Sequence, residues 1–277
     1  MRRPFCAALA MLAGFVFAPA AAQTQKGVPV SADVLKDLAP TGKIRAAINY
    51  GNGVLAQRGP GEQEPNGVSA DLARALAKRL GVPVQFVGFD AAGKVFEALK
   101  APDIDPRKWD IAFLAIEPAR AAEIAFTPPY VIIEGTYMVR KESPLKSVGD
   151  VDRAGIRIAV GPNSAYDLYL TRTLKHAQLV RAEAGGGAAM IQLFLRDKLD
   201  AAAGVRQPLE DYAMTDPDVR VMSDRFMDIR QAMGTPQGRA AGAAYLKTFI
   251  EEQKASGFVA DALKRSNQKA TVAPAEK

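Results

Sequence analysis

The run "WDIAFLAI", residues 109–116, is apolar at nearly every position, so as a strand it must be covered on both faces. It closes a repeating series. "KIRAAINY" (43–50) alternates Ile44, Ala46 and Ile48 and predicts a strand. "SADLARALAKRLG" (69–81) predicts a helix, with Ser69 as N-cap, Leu72, Leu76 and Leu80 on one face, and Gly81 at the C-terminal cap. "VPVQFVGF" (82–89) is a second strand and residues 92–100 a second helix. This β-α-β-α-β order predicts a parallel sheet with helices on both faces.

The pattern then restarts. "YMVRK", "GIRIAV", "QLVRA", "LDAAAGV" and "VRVM" read as strands, with helices at "SAYDLYLTRTL" and "AAMIQLFLRDK" between them. Residues 238–266 hold two amphipathic helices separated by Gly257. The expected fold is α/β with two lobes: residues 41–134 plus 226–266 form the first and 139–222 the second. Each is a mostly parallel sheet flanked by helices, and two hinge crossovers join them. Residues 23–40 are read as a polar leader and 267–277 as a flexible tail. Open α/β sheets bind ligands at the carboxyl ends of their strands, so two such edges would enclose a small solute.

The N-terminus predicts export. Arg2 and Arg3 precede an apolar run over 5–17, and Ala20-Ala21-Ala22 offers a small-residue cleavage site, so residues 1–22 read as a signal peptide. The run is shorter than the roughly 18 apolar residues of a membrane span. Export of a soluble chain places it in the periplasm. Cys6 lies inside the signal, which leaves the mature chain without disulfides, a thiol nucleophile or cysteine metal ligands. With His176 as the sole histidine, neither His-dependent catalysis nor zinc is expected, and His176 reads as a surface residue. Loss of Arg2 and Arg3 lowers the formal charge from +6 to +4, and the remaining bases are scattered, which argues against nucleic-acid binding. No cofactor or metal is called for, and a monomer is expected.

Within "LAIEPARAAEIAFTPPY" (114–130), Arg120 sits where the apolar strand gives way to a short helical pattern that ends in a Pro-Pro-Tyr turn. A guanidinium fork there can bond both oxygens of a planar anion, or form a surface ion pair with Glu117 or Glu123. In "GPNSAYDLYL", Asn163 or Ser164 can cap the next helix. Ser164 and the backbone N–H groups that follow it, from Ala165 onward, can also hold an anion at the positive helix end.

The segments "GKIRAAINY", "GVSADLARALAKRLG", "WDIAFLAIEPARAAEIAFTPPY", "GIRIAVGPNS" and "DKLDAAAGV" together resemble the family 3 solute-binding proteins, the polar amino-acid receptors of ABC importers. The likeness covers about residues 41–266 and is most specific from Asp110 to Tyr130. It implies a type II-like periplasmic-binding-protein fold that captures an amino acid or related small carboxylate between its lobes. It also implies delivery to an ABC permease in the inner membrane. By the same resemblance Arg120 grips the ligand carboxylate. A few proteins of this fold are dehydratases of cyclic carboxylates, which is the enzymatic alternative; an accessory, protein-binding role is a third.

The sequence departs from that family where an α-ammonium is held. Val205, next to Arg206, stands near an expected acid, Asn49 aligns with another, and Ala112, Phe113 and Ala115 replace the usual hydroxyl residues. Glu134, in an apolar neighbourhood, and Glu117 are the acids that could compensate; Glu117 could equally serve only as a carboxylate at a helix N-terminus. In the enzymatic alternative Glu134 would be the acid or base. Tyr50, Tyr130 and Tyr166 are candidates to pack on the solute, with core packing the other reading for Tyr130.

Overall fold

The computed structural model describes residues 29–59, 64–183 and 185–276. The expected signal peptide lies outside them. In the first part of the chain come α1 (Ala32–Leu38), β1 (Ile44–Asn49), β2 (Gln57–Arg58), β3 (Pro65–Asn66), α2 (Val68–Leu80), β4 (Val84–Phe89), α3 (Ala92–Glu97), β5 (Ile111–Ala115), α4 (Pro118–Ala121) and β6 (Ile124–Arg140). There follow β7 (Arg157–Val160), α5 (Ala165–Thr173), β8 (Gln178–Arg181), α6 (Gly187–Arg196), β9 (Ala201–Val205), α7 (Arg206–Ala213) and β10 (Val219–Val221). The chain ends with β11 (Met227–Pro236), α8 (Ala240–Ala255), α9 (Phe258–Arg265) and β12 (Thr271–Val272).

The fold is the two-lobed α/β architecture. At one end β4, β1 and β5 run parallel; at the other β9, β7 and β8 do. Antiparallel strands β11 and β6 stand between them, giving the order β4-β1-β5-β11-β6-β9-β7-β8. Two separate sheets were expected, but hydrogen bonding is continuous. The cause is β6, whose 17 residues pair with β11 along the first stretch and with β9 and β10 beyond Gly135.

Pro128-Pro129 therefore lies within a strand, not in a turn. Two prolines remove two ladder donors, and the opposing β11 shifts register between Gln231 and Gly234. There the Thr127 hydroxyl accepts the Met233 N–H at 3.2 Å, pairing a backbone donor within the shifted register. Tyr130 is core: its ring meets Phe113 edge-on at 6.1 Å and its hydroxyl lies 3.2 Å from that of Ser69. Ser69 is inside α2 and not its N-cap, a place taken by Gly67 at φ 98°; Gly81 caps the other end in the left-handed conformation, as predicted.

Both ends of the described chain are packed. The segment read as leader carries α1, capped by Ser31 and burying Val34 and Leu38, with Asp37 accepting the Gly242 N–H of α8 at 2.9 Å. The segment read as a tail carries β12, which pairs with Val131 and Ile132 of β6 and buries Ala273. Polar sequence hid both, because only a few apolar side chains in each meet the body. His176 is exposed.

Candidate functional site

The carboxyl ends of six strands converge on one cavity. Asn49 ends β1, Ala92 follows β4, Ala115 ends β5, Ser164 follows β7, Gly186 follows β8 and Val205 ends β9, and all six line it. A parallel strand delivers its carboxyl end to the same edge as its neighbours, so this convergence follows from the sheet. The cavity offers about 70 Å³ in which the centre of a water molecule can sit. At a liquid share of about 30 Å³ per water that is room for roughly two or three waters, which limits the cavity as it stands to a small ligand.

Arg120 forms part of its wall. Pro118 starts α4 at the position where a missing N–H costs nothing, and the single turn swings Arg120 back under the end of β5. Its side chain is 1 % exposed. Nη1 donates to the Ala115 carbonyl at 3.2 Å and Nη2 to the Asn163 carbonyl at 2.8 Å. A guanidinium carries five N–H groups, so these two bonds leave most of the fork for an anion. No described carboxylate lies within ion-pair reach of it. Burial pulls its pKa down to about 10, opposed by the charge of Glu117, so it remains a cation at neutral pH.

Across the cavity the N-terminus of α5 is built as expected. Ser164 accepts the Asp167 N–H at 3.1 Å, and Asn163 adopts φ 56°, a left-handed conformation that Asn tolerates, aiming its carbonyl at Arg120. Ser164 and Ala165 line the cavity; the Asn163 side chain does not.

Residues 57–269 match the family model described as bacterial extracellular solute-binding proteins, family 3. The chain belongs to that family. Among solved structures it resembles a mutant of ArgBP from T. maritima, at 18 % identity and TM-score 0.69, covering 84 % of this chain and 99 % of that one. A cysteine-binding protein from Campylobacter jejuni gives 20 % identity, TM-score 0.69, and coverage of 84 % and 92 %. An ancestral amino acid-binding protein, a precursor of cyclohexadienyl dehydratase, gives 21 %, 0.68, and coverage of 83 % and 97 %. At these identities the likeness concerns the fold. No curated protein sequence matches.

In this solute-binding protein the remaining expected residues part company. Asn49, Ala115, Ser164, Ala165, Val205 and Arg120 meet at the cavity, and Tyr166 joins them. Glu117 does not: it is buried on the far side of β5's end, where Arg172 Nη2 lies 2.7 Å from its Oε2, off the hydrogen-bond axis. Glu134 does not either. Arg206 Nε binds it at 2.5 Å and Arg225 Nη1 at 3.3 Å, on an outer groove beside β12. Tyr50 stands on an outer rim with the Arg58 guanidinium 4.3 Å above its ring. Because Glu134 points away from the cavity with its side chain 37 % exposed, Glu134→Gln is expected to leave ligand affinity within about twofold by calorimetry.

Sequence reasoning passed over Asn52, Gln231, Met190 and Leu209, which also line the cavity. Asn52 sits between two glycines in "GNG" just after β1, a usable loop signal. Gln231 had none, because β11 itself was not recognised.

Glycines close the seam between the lobes. A Cβ added to Gly185 would stand 2.1 Å from that of Ala91, and one on Gly93 2.8 Å from that of Asn163. Gly185→Ala is therefore expected to disfavour this closed arrangement by about 1–3 kcal/mol, the usual cost of overpacking, and to weaken ligand binding about five- to 150-fold. Calorimetry reads the affinity and small-angle scattering the wider separation; unchanged values in both would show that the seam gives way easily.

Proposed function

We propose that this protein captures a small carboxylate between its lobes in the periplasm and hands it to an ABC permease in the inner membrane, working as a monomer. The single observation that carries this is Arg120: a buried guanidinium with unfilled donors in the wall of a cavity of ligand size. Supporting it are the family membership and the amino-acid binders among its structural neighbours. The export signal read in residues 1–22 supports the location, and no described helix is long and apolar enough to cross a membrane. The dehydratase alternative relied on Glu134 as acid or base. That residue is engaged by two arginines outside the cavity, so the geometry favours capture without turnover.

The test is a thermal-shift and calorimetric screen of small carboxylates on protein freed of carried-over ligand by unfolding and refolding. A cognate acid at a hundred times its Kd should stabilise the fold by about 2.7 kcal/mol. A screen in which no carboxylate binds, or in which binding ignores Arg120→Ala, rejects the proposal.

A further inference from the structure

Resting on that reading of Arg120, we propose that the ligand is a small aliphatic carboxylic acid without an ammonium group, a 2-hydroxy or 2-oxo acid, and not an amino acid. Arg120 is the only charged side chain among the described residues that line the cavity. A carboxylate neutralises it. A zwitterion would do the same but bring an ammonium ion in with it, leaving one positive charge uncompensated in a partly enclosed, largely apolar site.

The acids around the cavity are already committed elsewhere. Asp90, next to the lining residue Ala91, pairs with Arg58 at 2.6 Å in an outer groove. Glu117 faces Arg172. Glu134 holds Arg206 and Arg225. Asp167 is 2 % exposed and accepts from Arg181 and from the Asn163 N–H at 2.8 Å. What the cavity does present is neutral. Asn52 Oδ1 is buried without a partner, an acceptor that the hydroxyl of a 2-hydroxy acid can fill and a 2-oxo group cannot, so the hydroxy acid is the better fit. Asn49 Oδ1 is occupied by the Gly51 N–H at 3.0 Å. Met190, Val205, Leu209 and Ile229 supply an apolar wall for an aliphatic body.

Calorimetry with matched series decides it. The probes are L-alanine, L-valine and L-leucine against the 2-hydroxy and 2-oxo acids of the same carbon skeletons. The hydroxy or oxo acid of the best-fitting skeleton should bind at least tenfold more tightly than its amino acid. Val205→Asp, which places a carboxylate in the wall, should reverse that order. An amino acid that binds the parent protein as tightly as its analogues, and needs Arg120 to do so, overturns this inference while leaving carboxylate capture intact. Failure of all three series while another carboxylate of the screen binds overturns this inference alone; failure of every carboxylate overturns both.

Discussion

Arg120→Ala should lower affinity for the cognate acid thirtyfold or more, and leave the unliganded protein folded. The alanine variant strips the cation from a buried charge pair, a loss of about 2–5 kcal/mol in such complexes. Stability should change little, because the unliganded protein holds a desolvated guanidinium bonded only to the carbonyls of Ala115 and Asn163. Removing it relieves a burial cost as well as losing two bonds. Arg120→Lys should recover only part of the affinity, since a point charge cannot bond both carboxylate oxygens in one plane. Calorimetry on all three proteins reads the result. An alanine variant within about threefold of the parent would make the guanidinium a structural clamp between Ala115 and Asn163, with no part in binding.

At the opposite end of the same strand, Asp110→Ala should destabilise the fold by about 3–5 kcal/mol without touching ligand affinity. Asp110 is fully buried ahead of β5. Its carboxylate accepts from the Arg45 N–H at 3.0 Å, from Arg45 Nε at 2.9 Å and Nη2 at 2.8 Å, and from Arg239 Nη1 at 3.1 Å. Deleting it leaves the buried Arg45 cation without its counter-charge, the costly way to break a buried pair. The hydrogen bonds to Asp110 hold the Arg45 pKa above its usual value against desolvation, which reports the same dependence. At roughly 2–4 °C per kcal/mol for a chain of this size, the melting temperature should fall on the order of 10 °C. Asp110→Asn, which keeps the shape and one acceptor, should cost less. Urea unfolding measures both; a loss under about 1 kcal/mol for the alanine variant would mean that the Asp103 carbonyl, 3.0 Å from Arg45 Nη1, suffices.

The parts of the molecule legible in the sequence are those made by neighbours in the chain. The 2-residue period of "KIRAAINY", the one-sided leucines of α2 with the glycine after them, and the apolar β5 ending beside Pro118 and Arg120 are local patterns. They specify strand, helix and cap before any tertiary contact forms. Repeated, they imply an α/β fold with strand ends gathered at one edge, and so they brought Asn49, Ala115, Arg120, Ser164 and Val205 to one place.

What needed the tertiary structure depends on residues far apart in sequence. The strand β11 is buried continuously from Gln231 to Thr235, and the polar Gln231 and Thr235 together with Gly234 hide that run in the sequence. It becomes a central strand only because β5 and β6 flank it. Pro128 and Pro129 look like a turn until a register shift in β11 accommodates them. Glu134 looked free to face a ligand because its partner Arg206 lies 72 residues away, and Glu117 because Arg172 comes from the other lobe. Sequence alone determined most elements of the two parallel halves and the place of Arg120 just after β5. The charge of the cavity was decided only by packing, since whether an acid is available to a ligand depends on which distant arginine reaches it first.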